Sequence, residues 1–300
     1  MDKKCGFVAI IGRPNVGKST LLNNILKEKV SITSSKPQTT RFQIRGILNE
    51  ERGQIVFVDT PGLHIPKSEL GKYLNTTALR AKTDCDLILY VVDLTRPPGE
   101  EEKNIINNLK NINKPVIMVL NKQDKGTGFV NEYIKLWQEN IGNEKNILRY
   151  YIPLSALEGK NVAELLDIIF SLLPESPPFY PMDMLSDFPL KLNISEIIRE
   201  KILNILKDEL PYSTAVLVED IVTRKENIIY IKAIILVERD SQKGIVIGRN
   251  GQMIKKIGEL SRKEIELILE KKVFLDLHVK VERNWQENPL ILKKLGYYTI

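Results

Sequence analysis

The 300-residue chain has two cysteines and two histidines. Cys5 and Cys85 each edge an apolar run rather than forming a CxxC pair, so both are expected to be free buried thiols, not disulfide or zinc ligands. Long apolar runs are missing too. Leu87 to Val92, among the longest, holds six residues, against the roughly twenty that cross a bilayer. The first twelve residues have two lysines and a short apolar stretch that Arg13 interrupts, with no small-residue cleavage site. A cytosolic monomer without a transmembrane segment is therefore expected, with peripheral attachment at the inner face of the membrane left open. Repeats and low-complexity tracts are absent, and 43% hydrophobic with 27% charged residues excludes a disordered chain.

What is present suggests two domains. The chain's 300 residues exceed the roughly 250 at which a single core stops growing. Five of the 15 prolines, Pro174, Pro177, Pro178, Pro181 and Pro189, fall between Leu173 and Leu190. A stretch so short of backbone donors is neither helix nor central strand, and it reads as a semi-rigid connector. The expected division is a nucleotide-binding domain over 1–173, a linker over 174–190, a second domain over 191–284 and a tail over 285–300. Upstream, apolar runs at Phe7–Ile11, Ile55–Val58, Leu87–Val92, Val116–Leu120 and Tyr151–Leu154 alternate with helical patterns. This order predicts an α/β domain, a mainly parallel sheet with helices on both faces, and Phe42–Leu48 adds an antiparallel edge strand. Downstream the order becomes helix, two strands, a short apolar turn, a helix near Gln252–Glu270 and an alternating strand over Val273–Val281. Net charge is +6, and a net +4 lies between Lys243 and Lys272, which hold eight basic and four acidic residues. That stretch is the candidate footprint for an anionic partner.

Gly12-Arg13-Pro14-Asn15-Val16-Gly17-Lys18-Ser19 fits GxxxxGK[ST] between a strand and a helix that continues through Thr20. In that setting backbone N–H groups wrap phosphates, Lys18 neutralises the β and γ oxygens and Ser19 supplies a Mg²⁺ ligand. Asn121-Lys122-Gln123-Asp124 ends the strand Val116–Leu120. Asp124 can accept from guanine N1–H and the 2-amino group, donors adenine lacks, Asn121 would hold the surrounding loops and Lys122 would cover the purine. Ser155-Ala156-Leu157 ends the next strand and offers a backbone N–H to the guanine carbonyl. Asp59-Thr60-Pro61-Gly62 brings a carboxylate to Mg²⁺ and a glycine N–H to the γ-phosphate. Of Thr39 and Thr40, Thr40 is favoured as the hydroxyl that closes on Mg²⁺. The metal set is thus Ser19, Thr40 and Asp59, and Asn15, Lys18, Thr40 and Gly62 are assigned to hydrolysis.

These motifs, with Pro37-Gln38-Thr39-Thr40-Arg41, resemble in order and spacing the Era and MnmE related GTPases. Leu63 departs from Ras-like enzymes, which place a water-orienting glutamine after this glycine. The resemblance implies a substitute, because Asn15 matches the asparagine that in related proteins helps hold K⁺ beside the phosphates; the alternative is an impaired hydrolase that switches by exchange. A GxxG loop, Gly248-Arg249-Asn250-Gly251, lies in the basic stretch between strands and a helix. About one GxxG is expected by chance in such a chain, so its setting carries the weight. The setting, in the order helix, strand, strand, helix, helix, strand, resembles a type II KH domain, in which this loop clamps about four nucleotides of RNA, with Lys243, Gly248, Arg249, Asn250, Gly251 and Lys255 as contacts. GTPase, proline linker and KH domain together resemble the Era family. That likeness implies GTP/GDP exchange, binding near the 3′ end of 16S rRNA and a part in 30S ribosomal subunit assembly. A switch whose second domain docks on protein or lipid is the alternative; a metabolite kinase is disfavoured by Asn121–Asp124.

Overall fold

The computed structural model describes residues 3–34, 36, 39–63, 66, 68–141, 147–224 and 227–298. Pro37 and Gln38 of the threonine motif and His64 lie outside the described residues. The chain divides into two compact units.

The first unit comprises Met1–Thr33, Thr40–Ile65 and Leu74–Asp187. Its sheet contains β1 (Lys4–Ile11), β2 (Ile44–Glu50), β3 (Gly53–Asp59), β4 (Leu87–Asp93), β5 (Val116–Asn121) and β6 (Leu148–Pro153), in the order β2-β3-β1-β4-β5-β6. Only β2 runs antiparallel, against β3. Every residue of β3, β4 and β5 is buried, as expected where helices cover both faces of a parallel sheet. In β4, Leu87, Leu89 and Val91 pack with residues of α1 (Lys18–Leu26) and α5 (Val162–Leu172). Ile88, Tyr90 and Val92 pack on the other face, with residues of α2 (Glu69–Ala81), α3 (Glu100–Leu109) and α4 (Val130–Ile141). The parallel register brings Ile10 beside Asp59 and Asp93 beside Asn121, so the motif residues collect at one edge of the sheet. Cys5 and Cys85 are buried free thiols, and burial pushes the Cys85 pKa up to about 11.

The proline-rich segment is bound to this unit rather than spanning free space. Cys5 donates its N–H to Pro174 O at 3.1 Å and Ile47 to Leu185 O at 2.8 Å. Gln54, fully buried, donates Nε2 to Tyr180 O at 2.9 Å while its Oε1 accepts from the N–H groups of Phe179 and Tyr180 at 2.7 and 3.0 Å. The Phe179 ring packs 4.8 Å from that of Phe7. Donors the prolines lack are thus supplied by the strands and by their own neighbours.

The second unit comprises Phe188–Ile300 with Ser34–Thr39 and Pro66–Tyr73. It contains α6 (Leu190–Ile205), β7 (Ala215–Thr223), β8 (Ile229–Val237), α7 (Asp240–Ile247), α8 (Gln252–Leu269), β9 (Val273–Val281) and α9 (Pro289–Lys294). The sheet order is β7-β8-β9, antiparallel then parallel. Ile197, Ile198 and Ile202 of α6 and Ile257 and Ile265 of α8 pack in one core with Ile231, Ala233 and Ile235 of β8.

The apolar turn at Val246 and Ile247 is the end of helix α7, which is short and buries only Val246; with α8 it makes the two helices that the type II KH order places between the second and third strands. Residues assigned to a tail are folded: Trp285 is fully buried and donates Nε1–H to Ser213 O at 2.9 Å. Asn288 caps α9, its Oδ1 accepting from Leu290 N–H at 3.0 Å. Leu292, Leu295 and Tyr297 are buried. Among the described residues no helix is long and apolar enough to cross a membrane.

Candidate functional site

The loop Gly12–Gly17 joins β1 to α1. Asn15 and Gly17 both have positive φ, 64° and 100°. At Gly17 a Cβ would also meet Asn121 Nδ2 at 2.3 Å, so the motif glycine is required by conformation and by space. Lys18 is 6% exposed and donates Nζ to Gly12 O at 3.0 Å and Arg13 O at 2.9 Å. Burial lowers its pKa to about 8, against the pull of Asp59.

The three residues assigned to the metal converge. Ser19 Oγ lies 2.8 Å from Thr40 Oγ1 and donates to Asp59 Oδ2 at 2.7 Å. Thr39, by contrast, turns its hydroxyl to Lys36 O at 2.6 Å. Ser31, which sequence reasoning passed over in its polar loop, also donates to Asp59 Oδ2, at 3.0 Å. Asp59 is fully buried, and its Oδ1 has no hydrogen-bond partner among the described residues. Burial raises its pKa, with Lys18 and the two hydroxyls opposing. Converging hard oxygens around an unsatisfied carboxylate oxygen fit Mg²⁺. Both charged groups sit in a poor solvent for charge, so Lys18 favours an arriving anion and Asp59 an arriving cation.

Residues 121–124 tie the loops together. Asn121 donates Nδ2 to Val16 O at 2.7 Å and accepts at Oδ1 from Ala156 N–H at 2.9 Å. The N–H of Ala156, one of those in Ser155–Leu157, thus holds Asn121 in place. Ser155 Oγ donates to Asp124 Oδ1 at 2.7 Å, and Asp124 is exposed at the sheet edge. Gln123 opens the short turn there, and Leu157 is 70% exposed. Lys122 donates to Asn15 O at 2.8 Å and pairs with Asp93 Oδ2 at 2.6 Å. Asp93 was not read from sequence, although its place at the end of β4 beside Asn121 is the signal that finds it. The hydrogen bonds from Lys122 and Thr95 hold its carboxyl below the usual carboxylate range despite burial. Thr60 Oγ1 donates to Ile10 O at 2.9 Å, an anchoring bond. At Gly62 a Cβ would meet Pro14 N at 2.6 Å, so the segment after Asp59 lies directly on the phosphate loop. Leu63 is partly buried against the apolar cluster containing Ile11 and Val58, where it cannot orient water.

In the second unit, α7 ends at Gly248 and α8 begins after Gly251, with φ of 75° and 74°. A Cβ on Gly248 would meet Met253 Cβ at 2.6 Å. The start of α8 has no side-chain cap, Arg249, Asn250 and Lys255 are exposed, and Lys243 is half-buried. Between Lys243 and Gly258 stand four basic residues and no acidic one, so the positive charge concentrates at the loop end of α8. Ile254, Lys255, Gly258, Glu259 and Arg262 of α8 face Phe274–Leu277 of the edge strand β9 across a groove of about 440 Å³.

The family model for 50S ribosome-binding GTPases matches residues 7–122, and that for KH domains matches residues 209–286. GTPase Era of Geotalea daltonii is 48% identical over 97% of this chain and 97% of its own length, and GTPase Era of Caldanaerobacter subterraneus is 49% identical over 99% of each. Two solved structures superpose over 99% of this chain and all of theirs. One is a variant of Aquifex aeolicus Era bound to GDP and AlF₄⁻, at 41% identity and a TM-score of 0.91. The other is Era with MgGDPNP and nucleotides 1506–1542 of 16S ribosomal RNA, at 42% and 0.92. With the phosphate loop, the 121–124 turn and the glycine loop all inside these full-length matches, the chain belongs to the Era family of GTPases.

Proposed function

We propose that this protein is a GTP-hydrolysing switch that binds the 3′ end of small-subunit rRNA and acts in 30S subunit assembly. The carrying observation is the Asn121 staple, which joins the base-reading turn to the phosphate loop at the sheet edge where Ser19, Thr40 and Asp59 meet. Asp124 reads guanine, the N–H groups of Gly12–Ser19 hold the phosphates, and Ser19, Thr40 and Asp59 hold Mg²⁺, which would neutralise the β and γ oxygens. The glycine loop with Lys243, Arg249, Asn250 and Lys255 clamps the RNA backbone. The likeness to Era in complex with 16S nucleotides 1506–1542 supports that partner. Crosslinking the protein in cells and sequencing the attached RNA is expected to recover the 3′ end of 16S rRNA; uniform recovery across the transcriptome would contradict the assignment.

Leu63 leaves hydrolysis without a glutamine. We assign the compensating charge to K⁺ held beside Asn15, where it would offset negative charge developing between the β and γ phosphates. GTP turnover is expected to be faster in K⁺ than in Na⁺ at equal ionic strength, and Asn15→Ala to erase the difference while nucleotide still binds. Equal rates in the two salts would sink the assignment.

A further inference from the structure

Arg13 belongs to the phosphate loop by sequence, yet its side chain pairs with a residue of another element. Its Nε lies 2.7 Å from Glu102 Oε1 in α3, with side chains 7% and 2% exposed. The N–H is not aligned on that oxygen, so the contact is an ion pair rather than a directed hydrogen bond. Glu102 Oε2 meanwhile accepts from Gly99 N–H at 2.9 Å, so one carboxylate both caps α3 and holds the guanidinium. The carbonyl of Arg13 accepts from Lys18 Nζ at 2.9 Å, so the same residue ties the loop to its lysine. Pro14, the next residue, is the surface against which Gly62 packs.

We propose that Arg13 is a positioning residue for GTP hydrolysis: its ion pair with Glu102 fixes Pro14 against Gly62, where the γ-phosphate and attacking water are assembled. This rests on the reading of Gly12–Ser19 as the phosphate loop. The far end of the loop has a separate anchor, Asn121 Nδ2 on Val16 O at 2.7 Å. Loosening Arg13 therefore disturbs the crown more than the cradle of the α and β phosphates. Hydrolysis should suffer while GDP affinity is kept.

The informative variant is the pair Arg13→Met with Glu102→Gln. Glutamine retains the acceptor for Gly99 N–H, and removing both charges avoids leaving one buried alone, so thermal stability should stay near wild type. At saturating GTP, kcat is expected to fall about tenfold or more while the GDP Kd changes by less than about threefold. A kcat near wild type, or a GDP affinity that falls by the same factor as kcat, overturns the proposal. Should the pair fail to fold, Glu102→Asp keeps both charges but draws the carboxylate back from Arg13; it is expected to lower kcat with GDP affinity unchanged, and unchanged kcat overturns the proposal equally. Lys18→Ala tests the underlying reading separately. If it retains wild-type GDP affinity, Gly12–Ser19 is not the phosphate loop, whatever Arg13 does.

Discussion

Replacing Arg249 and Asn250 together with aspartate is expected to weaken binding of single-stranded RNA roughly a hundredfold, about 2.8 kcal/mol. Gly248 lies so close to Met253 that no side chain fits there, and the start of α8 carries no side-chain cap. The loop therefore presents backbone N–H groups and a helix dipole to an approaching phosphate. Two carboxylates at exposed positions 249 and 250 would set negative charge against both. Anisotropy titration of a labelled RNA from the 16S 3′ end checks this, with binding of a fluorescent GDP analogue as the control for folding. Wild-type affinity should also fall linearly on a logarithmic salt axis, the slope giving the number of phosphates neutralised. Undiminished RNA affinity in the double variant would show that the glycine loop is not the RNA contact.

Asp124→Asn should exchange the preferred base. Ser155 Oγ donates to Asp124 Oδ1, and asparagine can keep that bond while turning Nδ2 toward the ligand. Guanine then meets a donor where it needs an acceptor, at about 1–3 kcal/mol for each mismatched bond. GTP affinity should drop by roughly ten- to a hundredfold. Xanthosine triphosphate, whose 2-oxo group accepts from the new amide, should gain. Competition between the two nucleotides for the variant and the parent decides it, and an unaltered GTP preference would remove Asp124 as base reader.

Legibility followed the range of each interaction. The strand-helix alternation and antiparallel β2 are written in local periodicity, and the phosphate loop and the 121–124 turn in fixed spacing. Partners recruited across the sheet were not legible in that way. Asp93 reaches Lys122 because β4 and β5 lie in register, and Glu102 reaches Arg13 across 89 positions of chain. Ser31 reached Asp59 from a loop whose composition promised only polarity. Helix α7, with a single buried residue, gives no period of its own, and only the element order around the glycine loop calls for it. Helix α9 spans six residues, too short for an apolar period, and only the capping Asn288 and the opening Pro289 mark its start.

The proline strap also bears on self-association. A sheet ending in β2 would offer a row of open N–H and C=O groups to any passing strand. Here Ile47 N–H is occupied by Leu185 O, and Ser186 Oγ takes Arg45 O. The strap meets β2 through one antiparallel bridge, Gly46 to Ser186, and Pro181 and Pro189 stand on either side of it, so it closes that edge without growing into a further strand. A fragment ending at Leu173 would uncover the β2 margin, the Phe7 ring and the amide of Gln54 at once, inviting sheet-to-sheet aggregation. One ending at Asp187 carries its own edge protection.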